Sequence, residues 1–161
     1  MLYINNIALP EDQQSVIVNG VAAEKVYCNN KLVWEYSPYP TCPGYTLYGD
    51  YFLSDTITAN KNWNDAVNMT KTVTVTKGTT SKTVTAKALS EEELRTLTAE
   101  QRKINENGHY WYWTSTSCGA NGAWYISRSG NFGITNKTGS FDTSISPGTG
   151  GARLGFKNPF I

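Results

Sequence analysis

Charge is the first thing this sequence is short of. Only 17% of its 161 residues are Asp, Glu, Lys or Arg, and the formal net charge is +1; an ordinary soluble domain carries roughly 25%. With no basic cluster to neutralise phosphates or lipid headgroups, neither nucleic-acid binding nor attachment to a charged membrane surface is expected. No apolar run approaches the roughly 20 residues that span a bilayer as a helix, so no membrane insertion is expected. Histidine occurs once, at His109, with no partner at a defined spacing to make it an acid–base catalyst. Cysteine occurs three times, at Cys28, Cys42 and Cys118. An odd number cannot pair completely, no two are spaced as CxxC, and the plain reading is three reduced, small hydrophobic side chains. Metal ligands do not cluster, so no metal or other cofactor is expected. The phosphate-loop, GxGxxG, HExxH and GxSxG patterns are absent. No catalytic residue is nominated, and the chain is not expected to be an enzyme.

The polarity that charge does not supply comes from Thr, Asn and Ser, which account for 47 residues, beside ten Tyr and five Trp. The first 40 residues read as short strands at 2–7, 15–18 and 31–35, and 24–35 as a hairpin. Asn29-Asn30 suits its turn, with Val26, Cys28, Leu32 and Trp34 as one apolar set. Residues 37–44 hold three prolines and a glycine and read as a stiff linker. Strand character returns at 45–58. A short helix is expected from Trp63, capped by Asn60 or Asn62, with Trp63 and Val67 on one face. The alternating Thr and Val of 71–86 predict a polar two-stranded hairpin turning at Lys77–Thr80. Ser90-Glu91-Glu92-Glu93 is a capping box, so a helix starts there; it extends or restarts toward Ile104, with Asn107-Gly108 as the stop.

Beyond residue 108 the composition changes. Residues 109–153 contain four charged residues, against 22 in the preceding 108, together with sixteen Ser, Thr or Asn, eight Gly and eight aromatics. Two readings stay open. Tyr and Trp with Ser, Gly and Asn are the composition of binding loops, where rigid aromatic area meets adaptable hydrogen bonding. The same residues are also what strands and turns ordinarily contain. Residues 123–129 alternate, with Trp124 and Ile126 on one side and Tyr125, Ser127 and Ser129 on the other; 152–156 form a closing strand.

From residue 45 onward the order of pieces resembles the bacterial and phage C-type-lectin-like domains of the Fibrobacter-paralogous, formylglycine-generating-enzyme-like and Lcl-type groups. The matching residues are Trp63-Asn64-Asp65-Ala66, Glu92-Glu93-Leu94, Tyr112-Trp113-Thr114-Ser115-Thr116-Ser117, Ala123-Trp124-Tyr125-Ile126 and Ala152-Arg153-Leu154-Gly155-Phe156. The sequence departs from the family at Lys87-Ala88-Leu89-Ser90, where a Trp-Arg-Leu-Pro-Thr-like stretch is usual. The resemblance implies an α+β fold: a C-type-lectin-like domain at 45–161 with two short helices and an irregular antiparallel sheet, preceded by a small β module at 1–40. It implies a ligand-binding face at Tyr110, Tyr112, Ser115, Ser117, Asn121, Tyr125, Ser127, Ser129, Asn131 and Asn136. Trp113, Trp124, Leu154 and Phe156 are then core, and Arg153 anchors the last strand through hydrogen bonds. The cysteine pair of the catalytic relatives is not recognisable.

The segment Lys25-Val26-Tyr27 to Trp34-Glu35 is similar to a hairpin of tailed-phage virion proteins. Residues 1–6 lack the charged and apolar regions of a secretion signal. The expectation is a phage virion protein made in the host cytoplasm: a receptor-binding or tail-tip protein recognising a host surface glycan or protein. Its other partners are virion proteins and copies of itself, with a trimer as the implied assembly. A head-decoration or head-fibre protein is the alternative. A degenerate enzyme of the formylglycine-generating type is a third reading, and it requires a reactive cysteine.

Overall fold

The computed structural model describes residues 2–4, 7–9, 16–18, 21–23, 25–28, 31–35, 39–59, 61–103, 109–138 and 149–161. The first six strands pair locally: β1 (Leu2–Ile4) with β2 (Ile7–Leu9), β3 (Val16–Val18) with β4 (Val21–Ala23), and β5 (Lys25–Cys28) with β6 (Lys31–Glu35). The expected strand at 2–7 is thus a hairpin, with Ile4 opposite Ile7. The expected hairpin forms over Lys25–Glu35, with Cys28 opposite Lys31 and Tyr27 opposite Leu32, after which the register shifts and Val26 lies opposite Trp34.

The chain continues as β7 (Tyr45–Tyr48), β8 (Tyr51–Ser54), β9 (Thr58–Ala59), α1 (Trp63–Asn68), β10 (Thr70–Lys77), β11 (Thr80–Ala88), α2 (Glu91–Arg95), α3 (Ala99–Arg102), β12 (His109–Cys118), β13 (Gly122–Ser127), β14 (Phe132–Asn136), β15 (Thr149–Ala152) and β16 (Leu154–Lys157). One antiparallel sheet runs in the order β10-β11-β16-β8-β7. Its longest part is the Thr/Val hairpin, paired from Thr70 opposite Lys87 to Lys77 opposite Thr80. Alternation sends Val73, Val75, Val84 and Ala86 to one side and the threonines to the other. Thr72, Thr74, Thr83 and Thr85 are exposed, whereas Val75 and Ala86 join Tyr45, Phe52, Leu154 and Phe156 in a core. The hairpin is therefore amphipathic, not polar.

This sheet curls because a short segment spans its two edges. Thr41 exchanges two backbone hydrogen bonds with Thr76 of β10 (2.8 and 2.9 Å), and the Cys42 carbonyl accepts from the Tyr45 N–H of β7 (3.0 Å). Cys42 is 5% exposed. In its described part the expected linker at 37–44 is corrected accordingly: Thr41 bridges to β10, Cys42 is buried, and Pro43-Gly44, with Gly44 at φ +77°, make the tight turn into β7.

The second sheet runs β14-β13-β12-β15-β9, antiparallel except where β12 meets β15. Both faces are covered. Tyr112 and Ile126 pack with Leu53, Leu89, Leu94 and Leu97, joining this sheet to the first and to α2. On the other face Trp111, Trp113 and Ala123 receive α1 through Ala66 and Trp63. Two indole N–H groups stitch that contact: Trp63 donates to the Thr114 carbonyl (2.9 Å) and Trp113 to the Lys61 carbonyl (2.8 Å).

Capping sets the helices. Asn62 accepts from the Asp65 N–H (2.9 Å) and starts α1. Ser90 and Glu93 form the expected capping box, with bonds of 3.1 and 2.7 Å. The helix does not extend but restarts, under a second box made by Thr98 and Gln101. It ends at Arg102; the Asn107-Gly108 stop lies outside the described residues.

Among the described elements the chain passes between the two sheets four times, and the last passage is the shortest. β15 belongs to the second and β16 to the first, and Arg153 stands between them. Its side chain is 7% exposed. Nε donates to the Ser54 carbonyl (2.9 Å) and one terminal nitrogen to the carbonyls of Arg102 (3.0 Å) and Lys103 (3.2 Å). The guanidinium also sits 5.5 Å from the centre of the Tyr112 ring. The anchoring role expected of Arg153 is met, and it serves both sheets.

The α+β expectation is overturned. The three helices among the described residues have six, five and four residues, beside sixteen strands. The chain is β-rich, a curled antiparallel sheet against a second sheet, and not a lectin-like domain with two helices on one irregular sheet. Each capping box nucleates only about a turn because the apolar residues that follow, Leu94 and Leu97, are too few to bury a longer face.

Two substitutions rank these contributions. Arg153→Met removes the guanidinium donors from the Ser54, Arg102 and Lys103 carbonyls, of which Arg102 keeps the Tyr112 hydroxyl, and is expected to cost about 3 kcal/mol. Ser90→Ala removes one cap and is expected to cost about 1 kcal/mol. Urea denaturation of both variants checks the order; equal, small losses would contradict the crossing's role.

Candidate binding surface

The ten residues expected to form one ligand face do not come together. Tyr112 is 1% exposed, and its hydroxyl donates to the Arg102 carbonyl (3.0 Å). Burial pushes its phenol up from the usual tyrosine value, with Arg153 opposing, so it stays a neutral donor inside the protein. It is core, not binding face, because strand alternation places it opposite in sense to Trp111 and Trp113, and both faces of the sheet are covered. Ser115 is half-buried, and its N–H bonds the Leu89 carbonyl (2.8 Å). The Tyr110 side chain lies outside the described residues; its backbone is in β12.

Of the rest, Tyr125 lies on the α1 side, edge-on to Trp111 at 5.6 Å. Ser117, Asn121 and Asn136 gather at one end of β13. There Lys137 ties its ammonium to the carbonyls of Gly119 (3.3 Å) and Ala120 (3.1 Å) and sits 4.6 Å from the Trp63 ring centre. Ser127, Ser129 and Asn131 gather at the other end, roughly 17 Å away at 3.3 Å per residue. Their side chains are mutually bonded: Ser127 to Ser129 at 3.0 Å, and the Asn131 amide to Ser129 at 3.0 Å. That turn is held rigidly. The carbonyl of Gly130, a residue at φ +83°, accepts from Arg102 Nε (2.9 Å), and a Cβ there would meet the Ala99 carbonyl oxygen at 1.8 Å.

Beside this turn is a group the sequence did not show. Trp124, expected in the core, is half-buried. It sits edge-on to Phe132 with ring centres 6.3 Å apart, and directly opposite Ile134 across the β13–β14 pair. Ile134 is 51% exposed. Arg95 of α2 lies 4.4 Å from the Phe132 ring centre and 5.6 Å from that of Trp124, bonded to the Glu91 carboxylate. Arg102 lies against the same Phe132 ring at 4.5 Å. Burial pushes the Arg102 guanidinium down from the usual arginine value, with Arg95 adding to it. The result is an accessible aromatic and aliphatic patch with a guanidinium against it, on the hairpin that the Ser127–Asn131 turn closes. The Phe132-x-Ile134 alternation was a signal for it, but only the hairpin register brings Trp124 beside Ile134, and Arg95 arrives from a helix nearly 30 residues earlier.

A second depression, of about 390 Å³, opens at the first sheet between Tyr39, Leu47, Lys77, Asn158, Phe160 and Ile161. Its lining is mostly apolar, and none of the ten expected residues is part of it.

Comparison of the chain with protein-family models, with curated proteins and with solved structures returned no match. The surface is therefore interpreted on its own geometry.

The cysteines bear on the enzyme reading. Burial pushes the Cys42 thiol up from its ordinary value, which lowers the thiolate fraction that nucleophilic chemistry needs. Cys118 is half-buried, and the Cys28 side chain lies outside the described residues. Thiol labelling of the folded protein near neutral pH, read by peptide mass spectrometry, is expected to leave Cys42 unmodified until denaturant is added. Fast labelling of Cys42 in the native state would reopen a reactive-thiol role. Gly130→Ala is expected to lower the melting temperature, at a cost of about 2 kcal/mol, because a side chain is both strained at that φ and blocked by Ala99. An unchanged melting curve would mean that the turn is not docked on α3.

Proposed function

We propose that this chain is a non-catalytic binding protein of a phage virion, a receptor-binding or tail-tip protein that recognises a host surface glycan or protein. The observation that carries the proposal is the patch of Trp124, Phe132, Ile134 and Arg95 beside the Ser127–Asn131 turn. Accessible aromatic rings offer large contact area at low entropic cost, and neighbouring hydroxyl, amide and guanidinium groups supply directional hydrogen bonds. Sugar rings, with apolar C–H faces and a fringe of hydroxyls, and protein surfaces both suit that arrangement. Ser127, Ser129 and Asn131 remain in the site; Arg95, Trp124, Phe132 and Ile134 join it. The virion assignment is supported by the likeness of residues 25–35 to a hairpin of tailed-phage virion proteins. Each contact is modest, and several copies on one particle would raise the overall affinity through avidity.

A structural role in head decoration or a head fibre is the second reading. Exposure of Ile134 at 51% favours it to this extent: a large aliphatic side chain beside half-buried aromatics is the kind of surface that a neighbouring subunit covers.

Binding of the purified protein to host cells and envelope extracts tests the first reading. Trp124→Ala and Asn131→Ala are each expected to weaken binding about tenfold, on the order of 1.4 kcal/mol, while Asn136→Ala, at the far end of β13, leaves it unchanged. Full binding by both variants with unaltered melting temperatures would sink the site.

A further inference from the structure

We infer that β14 is a dimerisation edge, on which a second copy of this chain docks through its own β14 to make one continuous ten-stranded sheet. β14 is the outermost strand of the second sheet. Its inward partners follow from the ladder: the Ser127 N–H bonds the Asn131 carbonyl (2.8 Å) and the Lys137 N–H bonds the Asn121 carbonyl (2.8 Å). With the register of β13 and β14, odd-numbered residues 131–137 face β13, and the N–H and C=O groups of Phe132, Ile134 and Asn136 face outward. Among the described residues no backbone group bonds them from that side.

The pattern of those groups accommodates a second copy of the same strand in one register. The three outward residues are symmetric about Ile134. When two β14 strands meet antiparallel on a two-fold axis at Ile134, Ile134 exchanges both its bonds with its counterpart. Phe132 exchanges both with Asn136 of the partner, and Asn136 with Phe132. All six outward groups of each strand are then satisfied, which a register slipped by two residues cannot do. The side chains agree: Ile134 meets its own copy, Phe132 meets an amide, and Gly133 lies opposite Thr135, so no like charges face each other.

The edge also lacks the devices that keep strands apart. β14 holds no charged residue, no proline and no bulge, whereas solitary edge strands usually carry one of them. The next charge along the chain, Lys137, is turned back onto the carbonyls of Gly119 and Ala120, while Arg95 and Arg102 lie over the face of the Phe132 ring. A two-fold perpendicular to the sheet keeps both copies the same way up, so the two Trp124–Phe132 patches lie side by side on one face. The pairing does not depend on what that face binds. It yields dimers, not the trimer that the family resemblance implies.

A five-residue ladder falls short of the roughly 1,200 Å² of a standard interface, so a Kd on the order of 10 µM is expected. Sedimentation of the full chain across that concentration range is expected to show mass doubling. Ile134→Lys, which sets two ammonium groups face to face, is expected to stay monomeric, while Ile134→Val dimerises and Thr83→Lys, an exposed lysine elsewhere, does so too. Should Ile134→Lys lose its fold by circular dichroism, Ile134→Pro removes only the outward N–H and is expected to give the same monomer. Amide exchange gives a readout without substitution: the N–H groups of Phe132, Ile134 and Asn136 are expected to gain protection with concentration, while those of Gly133 and Thr135 are protected throughout. A wild-type chain that stays monomeric, a dimer that survives Ile134→Lys, or outward amides indifferent to concentration would each overturn the inference.

Discussion

A single buried guanidinium joins the parts of this protein. Arg153 occupies the shortest passage of the chain from one sheet to the other, and its donors reach the Ser54 carbonyl at the end of β8 and the Arg102 and Lys103 carbonyls at the end of α3. No carboxylate is needed. A guanidinium is planar and has five donors, so several carbonyls and an aromatic face can satisfy it while it stays charged. Arg102 repeats the device, donating to the carbonyls of Leu94, Leu97 and Gly130. Between them, the two arginines fix the α2–α3 segment and the β13–β14 turn to the sheets. They hold irregular backbone in the interior, where its carbonyls would otherwise be unsatisfied.

That arrangement explains the shortage of charge in residues 109–153. β12 and β13 carry apolar residues on both sides because α1 covers one face of their sheet and the first sheet with α2 covers the other. A strand buried on both faces has no place for solvated charges. Much of the deficit is thus a matter of burial, and the aromatic-rich stretch Trp111-Tyr112-Trp113 is core from end to end. Recognition is left to what the covering elements do not reach: the turn at 128–131, the half-buried Trp124, and the outer strand β14.

The same constraint decides what the accessible surface can be. A rigid scaffold beneath Ser127, Ser129 and Asn131 presents polar groups with little freedom to lose, which favours binding. The open edge of β14 belongs to the same topology: in the order β14-β13-β12-β15-β9 it is the last strand, with none of the described strands beyond it.

Local features were legible from the sequence. Alternation marked the Thr/Val hairpin and the closing strand at 152–156, and asparagine and serine marked the starts of α1 and α2. These depend on backbone preferences and side-chain hydrogen bonds that operate within a few residues. The length of the helices, the use of residues 40–42 as a bridge between sheet edges, the burial of Tyr112 and the emergence of Trp124 were not legible. Each depends on which element covers which face, and that is set by contacts between residues far apart in the chain, such as Thr41 with Thr76 or Arg95 with Phe132. Composition alone placed polar and aromatic residues in the last third. Only the tertiary structure decided which of them meet water, because exposure is a property of the packed sheets and not of the residues themselves.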